Sequence, residues 1–346
     1  MRVVSIVGAR PQFVKLAPVS RAMADMTVSG GISIEDVIIH TGQHYDTGMS
    51  DIFFDELEIP RPNINLDIGS GTHGAQTARM LESIESVLLE REPDMVVVYG
   101  DTNSTLAGAI AAAKLNIPIA HVEAGLRSFN RAMPEETNRV VADHVSDVLF
   151  APTATAMANL ARENLADRAT NAGDVMLDAV IYNTALADER STIMDKLSLK
   201  PGEYAVLTLH RASNTEEAAL IDVLNTLNTV AADRIPIVFP AHPRTIAMLG
   251  KSDSDWKPAP ALRIIEPVGY LDMLKLVGNA RLVLTDSGGL QKEALFVGTP
   301  CVTLREETEW PETVDTGANI LTGRDRDKVL SAVDGWLEQS LSLIHI

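Results

Sequence analysis

Residues Val96 to Arg139 read VVVYGDTNSTLAGAIAAAKLNIPIAHVEAGLRSFNRAMPEETNR. A β-branched run, Val96 to Tyr99, ends at Gly100-Asp101. An Ala-rich, helix-favouring stretch follows from Thr105 to Leu115, and a second apolar run from Ile117 to Val122 ends at Glu123. Strand, helix, strand is a βαβ unit, so both strands run parallel and both acids fall at carboxyl ends, where open α/β sheets bind ligands. Pro134-Glu135-Glu136 opens a further helix whose acids can project into the same crevice. Clustered carboxylates hold at least one proton more tightly than an isolated acid, which sets a base beside an acid. The competing reading is structural: acids after strands cap helices, and Glu in a first turn offsets the helix dipole. Glu123 resists it, because Ala124-Gly125 and no obvious helix come next.

Outward from this stretch the alternation continues. Val3 to Val7 is a strand, and Gly8-Ala9-Arg10-Pro11 turns into a helix that places Arg10 and Lys15 near an anion-favouring N-terminus. Val37 to His40 is a strand followed by the polar loop Thr41 to Asp46, which contains Gln43 and His44. Met80, Leu81, Ile84, Val87 and Leu88 recur at helical spacing and read as core. Asp147 to Ala151 and Thr155 to Leu165 repeat strand and helix, and Gly173 marks a hinge, dividing the chain into residues 1–173 and 174–346. In the second half, strands precede His210-Arg211 and Pro240-Ala241-His242-Pro243-Arg244, two His/Arg groups suited to a polyanion. The strand within LVLTDSGGLQKE runs into Ser287-Gly288-Gly289, where missing side chains let backbone N–H groups approach a phosphate. Glu293, about one turn on, can accept from ribose hydroxyls.

Composition narrows the function class. A chain of 346 residues has room for two cores, and 46% hydrophobic with 22% charged residues is a globular profile. A net charge of −18 argues against nucleic acid, no apolar run is long enough to span a membrane, and a cytoplasmic protein is expected. The single Cys301 excludes an internal disulfide framework and lies in an apolar run, as a core residue would. No metal-ligand cluster is visible.

The motifs GARPQFVKLAPV, TGQHYD, GDTNSTLAG, HVEAGLRS, MPEETNR, LHR, PAHPR and TDSGGLQKEA, with TEWPE after it, occur in order over residues 1 to about 325. In these the chain resembles the non-hydrolysing UDP-N-acetylglucosamine 2-epimerase family. The resemblance implies the GT-B architecture: two Rossmann-like α/β domains, parallel sheets flanked by helices, and an active site in the interdomain cleft. The implied reaction removes the C2 proton of a UDP-sugar, expels UDP to leave a bound glycal, and re-adds UDP with the proton on the opposite face. By resemblance, Asp101, Glu123 and Glu135 handle protons and His210 assists at the leaving UDP. Arg10, Lys15, Arg139, Arg211 and His242 hold phosphate or sugar, Ser287, Gly288 and Gly289 the diphosphate, and Glu293 the ribose. No cofactor is implied, and relatives point to a homodimer. GARPQFVK with RSFNRAMPEE also resembles the subgroup acting on UDP-2,3-diacetamido-glucuronate. The family ordinarily continues into a final helix that returns to the first domain. The ending Leu341 to Ile346 departs from that pattern and reads as truncated or unrelated. A GT-B glycosyltransferase and a catalytically silent nucleotide-sugar sensor are the competing functions.

Overall fold

The structure, a computed structural model, describes residues 1–29, 31–42, 54, 58–209, 217–241, 245–246 and 256–338. Gln43, His44, His210, Arg211, His242 and the ending 341–346 lie outside them, as does the side chain of Arg10. The chain divides into two compact units, Met1–Ala179 and Val180–Ile346.

The first unit is built on a parallel sheet of β1 (Arg2–Val7), β2 (Glu35–His40), β3 (Ile64–Asn65), β4 (Met95–Tyr99), β5 (Ile119–Val122), β6 (Val148–Ala151) and β7 (Ala169–Asn171), in the order β3-β2-β1-β4-β5-β6-β7. All the strand pairings are parallel, and the order reverses between β1 and β4. That reversal opens the crevice in which α/β proteins bind ligands. The helix His73–Arg91 buries Met80, Ile84 and Leu88, the stripe its spacing predicts, with Leu81 and Val87 partly buried beside them. The helix Asn103–Lys114 packs closer to the sheet because it is almost all small residues. A Cβ at Gly108 would stand 2.8 Å from the Ile6 side chain.

The second unit repeats the plan with β8 (Ala205–Thr208), β9 (Ile237–Pro240), β10 (Leu262–Ile265), β11 (Leu282–Thr285), β12 (Cys301–Thr303) and β13 (Asn319–Leu321), all parallel, in the order β10-β9-β8-β11-β12-β13. Its reversal lies between β8 and β11. There the Thr208 and Thr285 hydroxyls meet at 2.6 Å, one residue row before the Asp286-Ser287 turn. Leu207, Leu224, Leu227, Leu284, Val302 and Val333 form one face of the core, and Cys301 is buried in the other. Two parallel sheets flanked by helices are the GT-B-like fold that the motifs implied. No helix among the described residues is long and apolar enough to cross a membrane.

Candidate active site

The acids of the opening stretch are brought together as the βαβ reading requires. β4 and β5 are hydrogen-bonded neighbours, with Tyr99 opposite Val122. The Gly100 N–H then donates to the Val122 carbonyl at 3.0 Å, which carries the pairing one residue past the strand and sets Asp101 beside Glu123.

Asp101 does not cap the following helix. That role belongs to Thr102, whose hydroxyl accepts from the Thr105 N–H. The Asp101 carboxylate is instead about one-third exposed, and Arg139 holds it from the side: Nε and Nη2 both donate to Oδ2, at 3.0 and 2.7 Å. This leaves Oδ1 without a bond among the described residues.

Glu123 sits on a strained turn, with φ of +72° where non-glycine residues are uncommon. Its carboxylate is buried, and Oε1 accepts from the Lys15 ammonium at 2.5 Å. Oε2 is buried and makes no hydrogen bond. Burial, with Asp174 and Asp101 adding to it, raises the pKa of Glu123 against the charge and hydrogen bond of Lys15, which lower it. Burial by itself would lower the pKa of Lys15, but the carboxylates of Glu123 and Asp101 outweigh it and keep the amine charged. Lys15 thus stands in the second turn of its helix as the counter-ion of an acid, not as a solvated surface cation. Gly100 makes room for the pair: a Cβ there would lie 3.0 Å from Nζ and 3.4 Å from Oε1.

The two acids that open the helix Pro134–Val145 part company. Glu136 is buried and fully engaged. Its oxygens accept from the Ser128 N–H and hydroxyl at 2.9 Å, the Phe129 N–H at 3.0 Å and Arg139 at 2.8 Å. Burial opposes these bonds, but together they hold its pKa below the ordinary value. Glu135, the acid the motifs assign to proton transfer, is half-buried and makes no hydrogen bond or ion pair among the described residues. Adjacent helical positions differ by about 100° in direction, so one faces the loop and the other does not.

Several residues that position these acids escape a reading by local pattern. Gln12 ties the two central strands: its Oε1 accepts from the Gly8 and Ala9 N–H groups, and its Nε2 donates to the Tyr99 carbonyl at 2.9 Å. Asp174 accepts from the Met176 N–H at 2.9 Å, at the start of Val175–Arg190, and its charge reaches both Lys15 and Glu123. His121, Asp143 and Arg127 form a buried network behind the acids. Only His121 carried a local signal, as a lone polar side chain in the otherwise apolar strand IAHV.

In the second unit, Ser287 caps the helix Gly288–Phe296, its hydroxyl accepting from the Leu290 N–H at 3.4 Å. Gly289 has open space where a Cβ would stand, with only the Ser287 hydroxyl at 4.0 Å. The helix is pinned by the buried Gln291, whose Oε1 accepts from Thr308 at 2.7 Å and Asn319 at 3.2 Å. Glu293 is buried on the same helix, beside Lys292, whose ammonium lies 4.2 Å from the centre of the Trp310 ring. Ser287 to Gly289 therefore present a capped helix start with little side chain in front of it, the form that anion sites take. Among the described residues no group of three or more His, Cys, Asp or Glu is placed to hold a metal ion.

Comparison with known proteins identifies the family. The family model for UDP-N-acetylglucosamine 2-epimerase matches residues 28–345. A UDP-N-acetylglucosamine 2-epimerase homolog of Methanococcus maripaludis is 52% identical over 96% of this chain and 92% of its own length. The UDP-2,3-diacetamido-2,3-dideoxy-D-glucuronate 2-epimerase of Pseudomonas aeruginosa is 47% identical over 96% of this chain and 91% of its own. The crystal structure of Methanocaldococcus jannaschii UDP-GlcNAc 2-epimerase in complex with UDP-GlcNAc and UDP superposes with a TM-score of 0.89 at 45% identity, covering 99% of this chain and 94% of that one. With a family match over nearly its whole length and acids set side by side at the edge of a parallel sheet, this chain belongs to the UDP-N-acetylglucosamine 2-epimerase family and is a UDP-sugar 2-epimerase, an isomerase.

Proposed function

We propose that the substrate is UDP-N-acetylglucosamine, interconverted with UDP-N-acetylmannosamine by proton transfer at C2. The observation that carries this reading is the Lys15–Glu123 pair, a buried carboxylate with one oxygen bound and the other, Oε2, unpartnered. A buried polar atom left unsatisfied is costly, and a group reserved for a substrate proton accounts for it. Asp101 complements it: Arg139 fixes one oxygen, and Oδ1 remains available.

In the forward direction one of these carboxylates takes the C2 proton. The C2–H electron pair forms the C1=C2 bond of the glycal as the C1–O bond breaks, and the leaving pair departs on the UDP oxygen. Return of UDP to C1 with proton delivery to the opposite face of C2 gives the epimer. Asp101, Glu123 and Glu135 are the proposed proton carriers. Ser287, Gly288 and Gly289 are proposed to hold the diphosphate through backbone N–H groups and the helix dipole, and Glu293 the ribose. Arg139 and Lys15, which the motifs imply hold phosphate or sugar, are proposed instead to act through Asp101 and Glu123, the acids they pair with. His210 is proposed to assist at the leaving UDP, Arg10, Arg211 and His242 to hold phosphate or sugar, and Gln43 and His44 to contact the substrate; a homodimer remains part of the proposal.

A second reading rests on the 47% identity to the Pseudomonas enzyme: a sugar bearing a C6 carboxylate, UDP-2,3-diacetamido-glucuronate. Proton NMR in D₂O with no acceptor separates the cases. Deuterated UDP-N-acetylmannosamine formed from UDP-N-acetylglucosamine supports the first reading. Exchange of the glucuronate sugar alone supports the second, and silence with both overturns the proton-transfer assignment.

A further inference from the structure

His121 lies in β5, two residues before Glu123, and is only 1% exposed. Its Nδ1 is 2.7 Å from Asp143 Oδ1, and its Nε2 is 2.7 Å from the Gly100 carbonyl oxygen. A carbonyl and an ionised carboxylate can only accept, so both bonds form together only when both ring nitrogens carry a proton. Asp143 is held as the anion this requires. Its other oxygen accepts from the Gly125 N–H at 3.0 Å and from Arg127 at 2.7 Å. Burial by itself raises its pKa, but the bond and charge of His121, with Arg127, bring it below the ordinary value.

We propose that His121 is a buried imidazolium that positions the Asp101- and Glu123-bearing strand ends for proton transfer at C2. The proposal rests on the epimerase reading for its catalytic consequence and on geometry for the charged ring. The two acids sit where the strands end in backbone of positive φ, +60° at Gly100, +72° at Glu123 and +83° at Gly125, and the Glu123 N–H still donates to the Phe150 carbonyl of β6 at 3.1 Å. Both polar groups of Gly100 are tied to β5, its N–H to the Val122 carbonyl and its carbonyl to the His121 ring. Through Asp143, the same ring reaches the Gly125 N–H on the far side of Glu123. One imidazolium and one carboxylate therefore span the residue before Asp101 and the residue two after Glu123. A neutral ring would turn a lone pair toward one acceptor and release one side of this clamp.

The charged groups around the ring are Asp143, from the helix Pro134–Val145, and Arg127, which reaches Asp143 from the loop after β5. Beyond them, Glu163 binds Arg127 at 2.8 Å and His144 at 3.0 Å, closing the network toward the surface. A histidine kept only for packing would need one bond, not two opposed acceptors.

The test is nitrogen-15 NMR of the full chain with labelled histidine, the His121 signals being assigned by their loss in His121→Gln. Two protonated, pyrrole-type ring nitrogens at His121 are expected. One pyridine-type nitrogen overturns the proposal, and in this arm the His121→Gln variant serves only to assign the wild-type signals. Kinetics supply the catalytic arm. His121→Asn keeps a donor near the Nδ1 position and His121→Gln one nearer Nε2. Because misplacement of about 1 Å costs on the order of 10²-fold in rate, kcat for UDP-N-acetylglucosamine should fall about 100-fold in His121→Asn, with KM unchanged and partial recovery in His121→Gln. Wild-type kcat in both folded variants overturns the positioning role. If the wild-type chain turns over no UDP-sugar while both ring nitrogens are protonated, the epimerase reading fails and the buried imidazolium stands.

Discussion

The two units arm the same sheet edge in opposite ways. Around the carboxyl ends of β4 and β5, the first unit places ionisable side chains in contact: Lys15 with Glu123, Arg139 with Asp101 and Glu136, Arg127 with Asp143 and Glu163. At the reversal between β8 and β11, the second unit removes side chains, leaving Ser287 and two glycines before a helix. The contrast follows from what each edge is proposed to do. Proton transfer needs groups whose protonation differs, and only ionisable side chains held apart by burial and partners supply that. Holding a diphosphate needs close approach and donors of fixed geometry, which bare backbone supplies with little to desolvate. Ion pairs dominate where charge must move, and glycine dominates where charge must only be met.

The largest expected effect breaks the first edge. Glu123→Gln keeps the shape and the Lys15 contact but removes the titratable proton, so C2 deuterium exchange should fall about 10²- to 10⁴-fold while UDP still binds. Wild-type exchange in this variant would end the assignment of Glu123. Asp143→Asn tests the network behind it. Removing one partner from a buried ion pair typically costs about 3–5 kcal/mol, read by urea unfolding at pH 7. The pH dependence has a definite sign. A carboxylate with a lowered folded pKa contributes stability fully above its unfolded value, 3.8 here, and loses it as pH falls through the folded value. The gap between wild type and Asp143→Asn should therefore close as pH drops below 3.8. A gap that stays constant to lower pH would show that Asp143 is not held as an anion. Gly125→Ala is expected to cost about 3 kcal/mol by the strain of its backbone region and overpacking, because φ is +83° and a Cβ would stand 2.6 Å from the Ala156 carbonyl oxygen.

How far these two edges were legible in sequence follows the same contrast. The second is local: TDSGGLQKE holds strand, cap and glycines in one run, so pattern alone locates it. The first is half local. Asp101 and Glu123 follow from the βαβ topology, but their partners lie far along the chain, as Lys15 is 108 residues from Glu123 and Asp143 is 22 from His121. No periodicity encodes such pairings. The choice between Glu135 and Glu136 turned on which direction a helix faces, and motif matching to the first left the second's loop clamp unseen. β3, β7, β10 and β13 also escaped, because IN, ATN, LRII and NIL are short and interrupted or bordered by polar residues, unlike the apolar runs of the other short strands.

The smallest effect sharpens the comparison most, because the second edge should respond to ligand and not to folding. Gly289 lies inside a helix with open space at its Cβ position, so Gly289→Ala should raise stability by about 0.4–1 kcal/mol through the unfolded chain. The same methyl would stand in front of backbone that a diphosphate must approach, and UDP affinity should fall about tenfold, equivalent to about 1.4 kcal/mol, in calorimetric titration. Ser287→Ala serves as the control with the opposite pattern. Losing the cap costs about 1 kcal/mol of stability, and the backbone donors stay in place. If Gly289→Ala binds UDP as tightly as wild type, the glycines serve only the geometry of the turn. The anion site must then be sought among the His and Arg side chains that follow β8 and β9.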